Sequence, residues 1–376
     1  MSIPDQRSPA ATRCIRPAAS CLNSTRRAAV LTPTVPSVSA PGNAAQPPVE
    51  LNWRPLRRAD VPALTELMAA AEAVDQADEH YDEDDVIEEF WNGLIDLEAD
   101  TRLVWAGAEL VGYASLFGQR RVREVHSVWL TGAVHPRHRR RGVGRQLLRW
   151  QLGRAEQLHA ERHPTVPANL MCRAPEANVG LAGLARTEGL EELRFWFEMV
   201  RSLEDADPPL PPVRAAHGVR IEPYEDGRDE EVRRAHNLAF RDHFGSTERD
   251  PEEWRGYFTG SRAFRPDMSW LAVQDDDRAA IAGYLLAYVY AADVVARGRR
   301  EVYIGQLGTL PDFRGRGVGS ALLATALAQW SAAGHQDAYL GVDTANSTGA
   351  LGLYERAGYR AHKRSTSWGR RLPAAS

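Results

Sequence analysis

Two short runs of arginine and glycine have the composition of an anion-binding loop. The first reads Arg139-Arg140-Arg141-Gly142-Val143-Gly144, and the second reads Arg314-Gly315-Arg316-Gly317-Val318-Gly319-Ser320. Glycines let the backbone turn tightly, so that several N–H groups and the start of a following helix converge on one point. Arginines add charge-assisted donors that suit phosphate oxygens. Each run therefore predicts a phosphate site; the alternative is a glycine-rich turn with arginines facing solvent.

Neither run matches the two commonest nucleotide-binding patterns. The Walker pattern needs Gly-Lys-Ser/Thr, which both runs lack. The dinucleotide pattern Gly-x-Gly-x-x-Gly needs a third small residue where Leu147 and Leu322 stand. An arginine three residues before the first glycine, as at Arg139 and Arg314, belongs to neither pattern.

The runs instead resemble the Arg/Gln-x-x-Gly-x-Gly/Ala signature of the GNAT acetyltransferase superfamily. In that family the loop and the helix after it bind the pyrophosphate of acetyl-CoA. The resemblance implies that the second loop binds acetyl-CoA with residues 314–320, and that the first loop does so through Arg139, Gly142 and Gly144. It also implies that backbone N–H groups of Leu307, Gly308 and Thr309 polarise the thioester carbonyl, provided that the strand bulges there.

A second family signature follows only the second loop. The residues that resemble it are Val342, Asn346, Leu353-Tyr354-Glu355 and Gly358-Tyr359. Thioester transfer expels a CoA thiolate, which a nearby phenol can protonate. The resemblance implies that Tyr354 is this acid and that Asn346 hydrogen-bonds the pantetheine arm; the alternative for Tyr354 is an aromatic residue of the core.

The first half departs from this second signature. Counting back four residues from Gly189 gives Ala185, where the same count from Gly358 gives Tyr354. Alanine cannot donate a proton, so the first half is predicted to be degenerate and the chemistry is predicted in the second half.

The acceptor side has weaker signals. Glu301 begins the strand that leads into the second loop, where the family often places its general base, and the alternative is a charged residue at a strand end. Asp242 and His243 follow the first helix of the second half, where the family forms its acceptor pocket. His243 would titrate near neutral pH, and the alternative is an ordinary surface or capping histidine.

The loops lie at the same place in two similar halves, each with a helical stretch, a hairpin, a third strand and then the loop. The helical stretches cover 61–95 and 229–258, and the third strands cover 125–134 and 302–310. This order predicts an α/β (α+β) fold of two tandem GNAT-like domains, each a mixed, mostly antiparallel sheet flanked by helices. The predicted domains are 50–204 and 214–376, with a proline-rich linker over 205–213 and a disordered extension over 1–49.

Composition excludes several classes of protein. The net charge of −4 argues against a nucleic-acid partner, and the lack of a long apolar run argues against a membrane span. Three cysteines in no metal pattern predict neither a disulfide framework nor a metal site. Lys363 is the single lysine, which is typical of a G+C-rich bacterial genome and favours a cytoplasmic protein. The acidic run from Glu72 to Glu89 is interpreted as a solvated helix face, or else as an attractor of a cationic acceptor.

These observations predict an acyltransferase that moves an acetyl group from acetyl-CoA to a primary amine of a small molecule, with no metal. We expect a monomer or homodimer. Two alternatives remain open: a protein or peptide N-acetyltransferase, and a non-catalytic acyl-CoA-binding protein.

Overall fold

The computed structural model describes residues 19–20, 50–204, 208–214, 216, 218–241, 246–276, 279–344 and 350–375. The extension expected over residues 1–49 lies almost wholly outside these ranges, as do Asp242, His243 and Asn346. Within them, no helix combines the length and the apolarity that a membrane crossing requires.

The first half contains five helices and six of the described strands. Its strands are Leu51–Arg54 (β2), Thr101–Ala106 (β3), Glu109–Gly118 (β4), His126–Val134 (β5), Ala168–Pro175 (β6) and Glu191–Ser202 (β7). Its helices are Val61–Asp75 (α1), Glu83–Phe90 (α2), Leu97–Asp100 (α3), Val143–Arg162 (α4) and Val179–Thr187 (α5). A two-residue strand, Ala19–Ser20 (β1), pairs with Val342 and Asp343.

The second half repeats this order. Its strands are Val219–Pro223 (β8), Trp270–Gln274 (β9), Ile281–Tyr288 (β10), Glu301–Thr309 (β11), Asp337–Asp343 (β12) and Arg360–Leu372 (β13). Its helices are Asp229–Ala239 (α6), Pro251–Trp254 (α7, followed by a π turn), Ala291–Arg297 (α8), Val318–Ala332 (α9) and Ala350–Arg356 (α10). The expected hairpins, third strands and post-loop helices are therefore confirmed, and so is an α/β architecture repeated in two halves.

The two halves share one sheet because they exchange their last strands. The described strands run in the order β2-β3-β4-β5-β6-β13-β7-β12-β11-β10-β9-β8. Thus β13 pairs with β6 of the first half, and β7 pairs with β12 of the second half. The sequence repeat did not indicate either β7 or β13, and β13 is mostly polar outside Trp368.

Each exchanged strand contributes to the core of the opposite half. Trp368 of β13 is buried in the cluster formed by α4, α5 and the first-half strands. Met199 and Leu203 of β7 are buried in the cluster formed by α9 and the second-half strands. Burial of apolar side chains across the exchange ties the stability of each half to the other.

The sheet has two differently used faces. Helices α4, α5, α9 and α10, which follow the loops, cover one face through the clusters around Leu152 and Leu322. Helices α1, α2, α6 and α7 cover the other through the clusters around Leu64 and Trp254. We call the first the loop face and the second the acceptor face.

The acidic run joins the halves instead of forming a solvated helix face, so that interpretation is wrong. Asp78 forms ion pairs with Lys363 at 2.7 Å and with His362 at 3.0 Å. Asp82 and Asp85 pair with Arg262 at 2.6 and 3.0 Å. The run reads as solvated because its basic partners lie far away in sequence.

Candidate active site

Both loops adopt the same alternating backbone. In the first, Arg140 and Gly142 have φ of 64° and 87°; in the second, Gly315 and Gly317 have φ of 74° and 84°. Left-handed residues alternating with right-handed or extended ones turn successive N–H groups toward a common centre, which forms an anion-binding nest. This left-handed geometry favours glycine, so Gly142 and Gly317 are required by the backbone itself.

The start of a helix lies directly behind each nest. Helices α4 and α9 begin at Val143 and Val318, and no side chain caps either one. Their first N–H groups therefore remain available to an anion. A Cβ at Gly144 or Gly319 would make only ordinary contacts with protein, at 3.5 Å or more. Space for a bound group accounts for these two glycines better than the fold does.

The first arginine of each loop fastens the loop to the body of its half. Arg139 donates to both oxygens of Asp75 at 2.7 and 2.8 Å and to the Val134 carbonyl at 3.0 Å. Arg314 donates to the Ala239 carbonyl at 2.8 Å. Asp75 and Ala239 are the last residues of α1 and α6. These two guanidinium groups thus position the nest.

Beside each loop two parallel strands separate and leave a slot, and in the second half the two-residue strand β1 pairs with β12 inside that slot. Strands β5 and β6 pair from His126–Ala168 to Trp129–Met171, and β11 and β12 pair from Glu301–Asp337 to Ile304–Leu340. In both halves the pairing stops after four residue pairs, and beyond them the edges of β5 and β11 have no strand partner on that side in the described chain. An extended, amide-bearing ligand can bind to such an edge.

Of the two third strands, β5 and β11, only β11 carries a bulge opposite its antiparallel neighbour. The register of β10 and β11 shifts between Leu286 and Ala287, which leaves Gly305 as the extra residue, whereas β4 and β5 pair without a shift. A Cβ at Gly305 would come within 2.2 Å of the Tyr288 ring. The bulge therefore precedes Leu307–Thr309, where it was expected, by two residues. A glycine inside a strand was the signal for it.

Tyr354 and Ala185 occupy equivalent positions, as the residue count predicted. Tyr359 N–H donates to the Tyr354 carbonyl at 3.0 Å, and Leu190 N–H donates to the Ala185 carbonyl at 3.0 Å. Tyr354 is 1% exposed, and its ring meets the Tyr359 ring edge-on at 5.8 Å. A phenol is thus present on the loop face of the second half and missing from the first.

Glu301 is buried on the acceptor face at the start of β11. Its Oε2 accepts from Arg297 Nη1 at 3.0 Å, and the same guanidinium lies over the Tyr339 ring at 4.8 Å. Glu301 precedes the bulge at Gly305 by four residues of extended strand, or about 13 Å. Any effect of this carboxylate at the bulge must pass through intervening groups.

A cavity of about 980 Å³ passes through the sheet in the first half. On the loop face it is lined by the first nest and by α4 and α5; on the acceptor face it reaches the seam between the halves. We call this second part the seam chamber; its lining includes Glu79, Arg173, Trp196, Glu198 and Tyr303. Sequence reasoning did not find Arg173 or Trp196, because a single arginine in a strand has no distinguishing pattern.

Three possible metal ligands lie together near the seam between the halves, and one of them is already paired with a lysine ammonium. Asp78, Glu198 and His362 place ligand atoms within 4.8 Å of one another. The Lys363 ammonium forms an ion pair with Asp78 at 2.7 Å, and the nearby cations hold the pKa of Asp78 below its usual range. A metal ion would have to displace that ammonium.

Two predicted acceptor residues, Asp242 and His243, and the predicted pantetheine ligand Asn346 lie outside the described residues. A polar pair that was not predicted lies near this region: His236 Nδ1 and the Tyr284 hydroxyl are 2.7 Å apart in the core of the acceptor face. Burial raises the pKa of Tyr284 well above its ordinary value.

Comparison with known families and proteins agrees with this geometry. The model of the acetyltransferase (GNAT) family matches residues 62–171 and 230–359. The chain is 30% identical over 347 residues to a mycothiol acetyltransferase of Parafrankia sp. (strain EAN1pec), covering 85% of this chain and 98% of that protein. It is 33% identical over 264 residues to a mycothiol acetyltransferase of Saccharomonospora viridis, covering 68% of this chain and 77% of the relative.

Solved structures show the same architecture. A GCN5-related N-acetyltransferase from Sphaerobacter thermophilus superposes with a TM-score of 0.67 and 25% identity, covering 88% of this chain and 99% of its own. A tandem GNAT protein from the clavulanic acid biosynthesis pathway superposes with a TM-score of 0.63 and 19% identity, covering 87% of this chain and 100% of its own. The second likeness concerns the fold alone.

Proposed function

The chain belongs to the acetyltransferase (GNAT) family, and we propose that its second half moves an acetyl group from acetyl-CoA to a primary amine of a small molecule. GNAT acetyltransferases use acetyl-CoA as co-substrate. Beyond family membership, we propose which half is active, what kind of acceptor it uses and which residues take part in the reaction.

The single observation that carries the proposal is the coincidence of three features in the second half. Three features belong to the loop face of this half: the nest at Gly315 and Gly317, the strands that diverge after Ile304, and the phenol of Tyr354. The nest and α9 would bind the pyrophosphate through residues 314–320. The free edge of β11 at Leu307–Thr309 would bind the pantetheine amides and the thioester.

In the reaction the amine nitrogen attacks the thioester carbonyl, the C–S bond breaks, and sulfur leaves as a thiolate. Tyr354 would give this thiolate its proton. Glu301 would accept the proton released by the amine, through ordered water, because the strand separates this carboxylate from the bulge. Its ion pair with Arg297 favours the ionised form that a base requires.

The small-molecule acceptor is supported by the shape of the acceptor face. The seam chamber is lined from both halves, with Glu198 from one and Tyr303 from the other. Such a chamber suits a compact ligand better than an extended peptide. A protein acetyltransferase is therefore the less favoured alternative.

The first nest and its slot support a second acetyl-CoA site at Arg139, Gly142 and Gly144. Its missing phenol makes binding without efficient transfer the proposed outcome there. A chain that only binds acetyl-CoA in both halves would not need Tyr354, and this separates the second alternative, a non-catalytic acyl-CoA-binding protein, from the proposal.

The test is Tyr354→Phe, with Tyr359→Phe as its matched control. Tyr359 is the neighbouring buried phenol, and its hydroxyl has no hydrogen-bond partner among the described residues. We expect Tyr354→Phe to lower kcat for release of free CoA with a panel of primary amines by about 10²- to 10⁴-fold. The Kd for acetyl-CoA should stay unchanged, and Tyr359→Phe should retain kcat. An unchanged kcat in Tyr354→Phe would show that another group protonates the thiolate.

A further inference from the structure

Arg173 is a cation in the seam chamber, and no anionic side chain in the described part of the chain pairs with it. Its guanidinium carbon lies 4.6 Å from the centre of the Trp196 ring. No described residue forms a hydrogen bond or an ion pair with this side chain, and its Nε is buried without a partner. A guanidinium has five N–H donors, so this one retains its hydrogen-bonding capacity for a ligand.

The orientation of this guanidinium is fixed by the sheet. Trp196 is buried, and its indole N–H donates to the Ser367 hydroxyl at 2.7 Å. The ring is thereby held on the acceptor face, and the Arg173 guanidinium lies over it at the wall of the chamber. Such a fork matches the two oxygens of a carboxylate or a phosphate.

The surrounding charges do not neutralise Arg173 by contact. Glu79, Glu198 and Asp343 are near enough to favour its charged form, but none lies within ion-pair distance. Burial is the larger effect and lowers the pKa of Arg173 from its ordinary value. Arg173 as a residue is only half-buried, but an unpaired cation that is partly withdrawn from water is still costly, and a bound anion would offset that cost.

The fold does not require an arginine at this position. Arg173 stands two residues beyond the Trp129–Met171 pair, and two residues beyond the corresponding Tyr303–Tyr339 pair the second half has a glycine. The equivalent strand therefore forms without this side chain, which argues for a role toward a ligand.

We propose that Arg173 anchors an anionic group of the acceptor, a carboxylate or a phosphate, while the nearby carboxylates Glu79 and Glu198 attract its amine. The inference rests on the amine-acceptor function proposed above and narrows it to acceptors that carry both charges. Arg173 is a binding residue here and takes no part in proton transfer.

The experiment compares the full-length chain with Arg173→Met, Arg173→Lys and the control Arg102→Met. Arg102 also stacks on a tryptophan of the first half, Trp150 at 4.8 Å, but lies outside the cavity and donates to backbone carbonyls. Methionine keeps the apolar stem and removes the charge. The probes are two matched pairs, phosphoethanolamine with ethanolamine and β-alanine with β-alaninamide, and calorimetry measures their binding to the protein saturated with CoA, which cannot transfer an acetyl group.

We expect the anionic member of at least one pair to bind about 10- to 100-fold more tightly than its neutral partner. The pair that discriminates identifies phosphate or carboxylate as the anchored group. Arg173→Met should abolish the difference, Arg173→Lys should retain part of it, and Arg102→Met should retain all of it. Equal or absent binding of all four probes to the wild-type chain, or discrimination that survives in Arg173→Met, would overturn the inference.

A stability measurement separates this role from a structural one. Without ligand, Arg173→Met should unfold at the same temperature as the wild type or higher, since it removes an unpaired, half-buried charge. Arg102→Met should unfold at a lower temperature because it loses two hydrogen bonds. A loss of stability in Arg173→Met as large as that in Arg102→Met would mark Arg173 as structural. Because these readouts do not use acetyl transfer, they remain decisive if the test at Tyr354 fails.

Discussion

The two halves build nests with the same alternating backbone, and three positions outside the nests carry the contrast between them. The second half has Tyr354 where the first has Ala185, and it has a bulge at Gly305 where the first has a regular ladder. The first half has Arg173 in the chamber, where the second has a glycine. All three differences lie away from the nests themselves.

This contrast separates the contacts that position each loop from the groups proposed to take part in the reaction. Each nest depends on local backbone geometry and on one arginine that reaches the end of the half's first helix, at Asp75 or Ala239. Those contacts are independent of the phenol and of the bulge. A half can therefore lose a catalytic group and keep its nest, which is the relation proposed here for the first half.

The exchange of β7 and β13 gives the largest expected effect, because it makes the halves depend on each other for folding. Separate fragments of residues 50–204 and 214–376, the two predicted domains, each lack the strand that completes their sheet. Removing residues 214–376 takes Trp368 from the first-half core, and removing a buried tryptophan alone costs about 3–5 kcal/mol. We expect neither fragment to unfold cooperatively in circular dichroism melts.

Co-expression of the two fragments is the control for this prediction. The pieces should associate and restore one cooperative transition, since the exchanged strands then regain their partners. Two independent, cooperative transitions from the separate fragments would mean that the exchange adds little to the stability of either half.

Charge reversal in one nest at a time gives the next largest effect. Arg141 and Arg316 are exposed and occupy the same position before the glycine that starts each helix. Arg141→Glu and Arg316→Glu place a carboxylate beside the bound pyrophosphate, so each should weaken acetyl-CoA binding at its own site by at least about tenfold. Titration calorimetry should count two sites in the wild type and one in each variant.

The same two variants assign the chemistry to a half. Acetyl transfer should fall much further in Arg316→Glu than in Arg141→Glu. The loss of transfer should become smaller as added salt screens the repulsion between the new carboxylate and the pyrophosphate. Equal losses of transfer would mean that both halves take part in one reaction.

The nests and the elements around them could be predicted because they depend on short-range pattern. A glycine-rich turn followed by apolar residues at helical spacing, such as Leu322, Leu327 and Trp330, specifies a loop and a helix wherever it occurs. The count of four residues before Gly358 located Tyr354 for the same reason. Fixed local spacing carries over directly from sequence to structure.

The remaining features depend on contacts distant in sequence. Alternation in a strand gives its two faces but not its neighbours, so the pairing of β13 with β6 could not be predicted. The acidic run has one composition whether it faces water or Arg262 and Lys363. Arg173 is recognised as a candidate binding residue only from its contact with Trp196 and its place in the chamber, both of which depend on the fold.

A smaller effect concerns the contact between the halves at Glu88. This carboxyl is 3% exposed on α2, and it accepts a hydrogen bond from the Arg262 N–H at 3.2 Å. Burial raises its pKa from 4.5 to about 7, with Asp85 raising it further and Arg262 and the Ser261 hydroxyl opposing the shift. The folded chain therefore keeps this proton at pH values where the unfolded chain has lost it.

The sign of the pH dependence follows from that difference. Stability from this group is fully present below pH 4.5 and is lost as the pH rises through about 7, by an amount on the order of 3 kcal/mol. Glu88→Gln mimics the protonated form, so the difference in free energy of unfolding between this variant and the wild type should grow from pH 5 to pH 8. Urea unfolding at several pH values measures it, with Glu83→Gln, an exposed change on the same helix, as the control. If the difference in free energy of unfolding between Glu88→Gln and the wild type stays constant with pH, water reaches the Glu88 carboxyl. The contact between the halves would then be more open at Glu88 than at the Arg262–Asp85 ion pair.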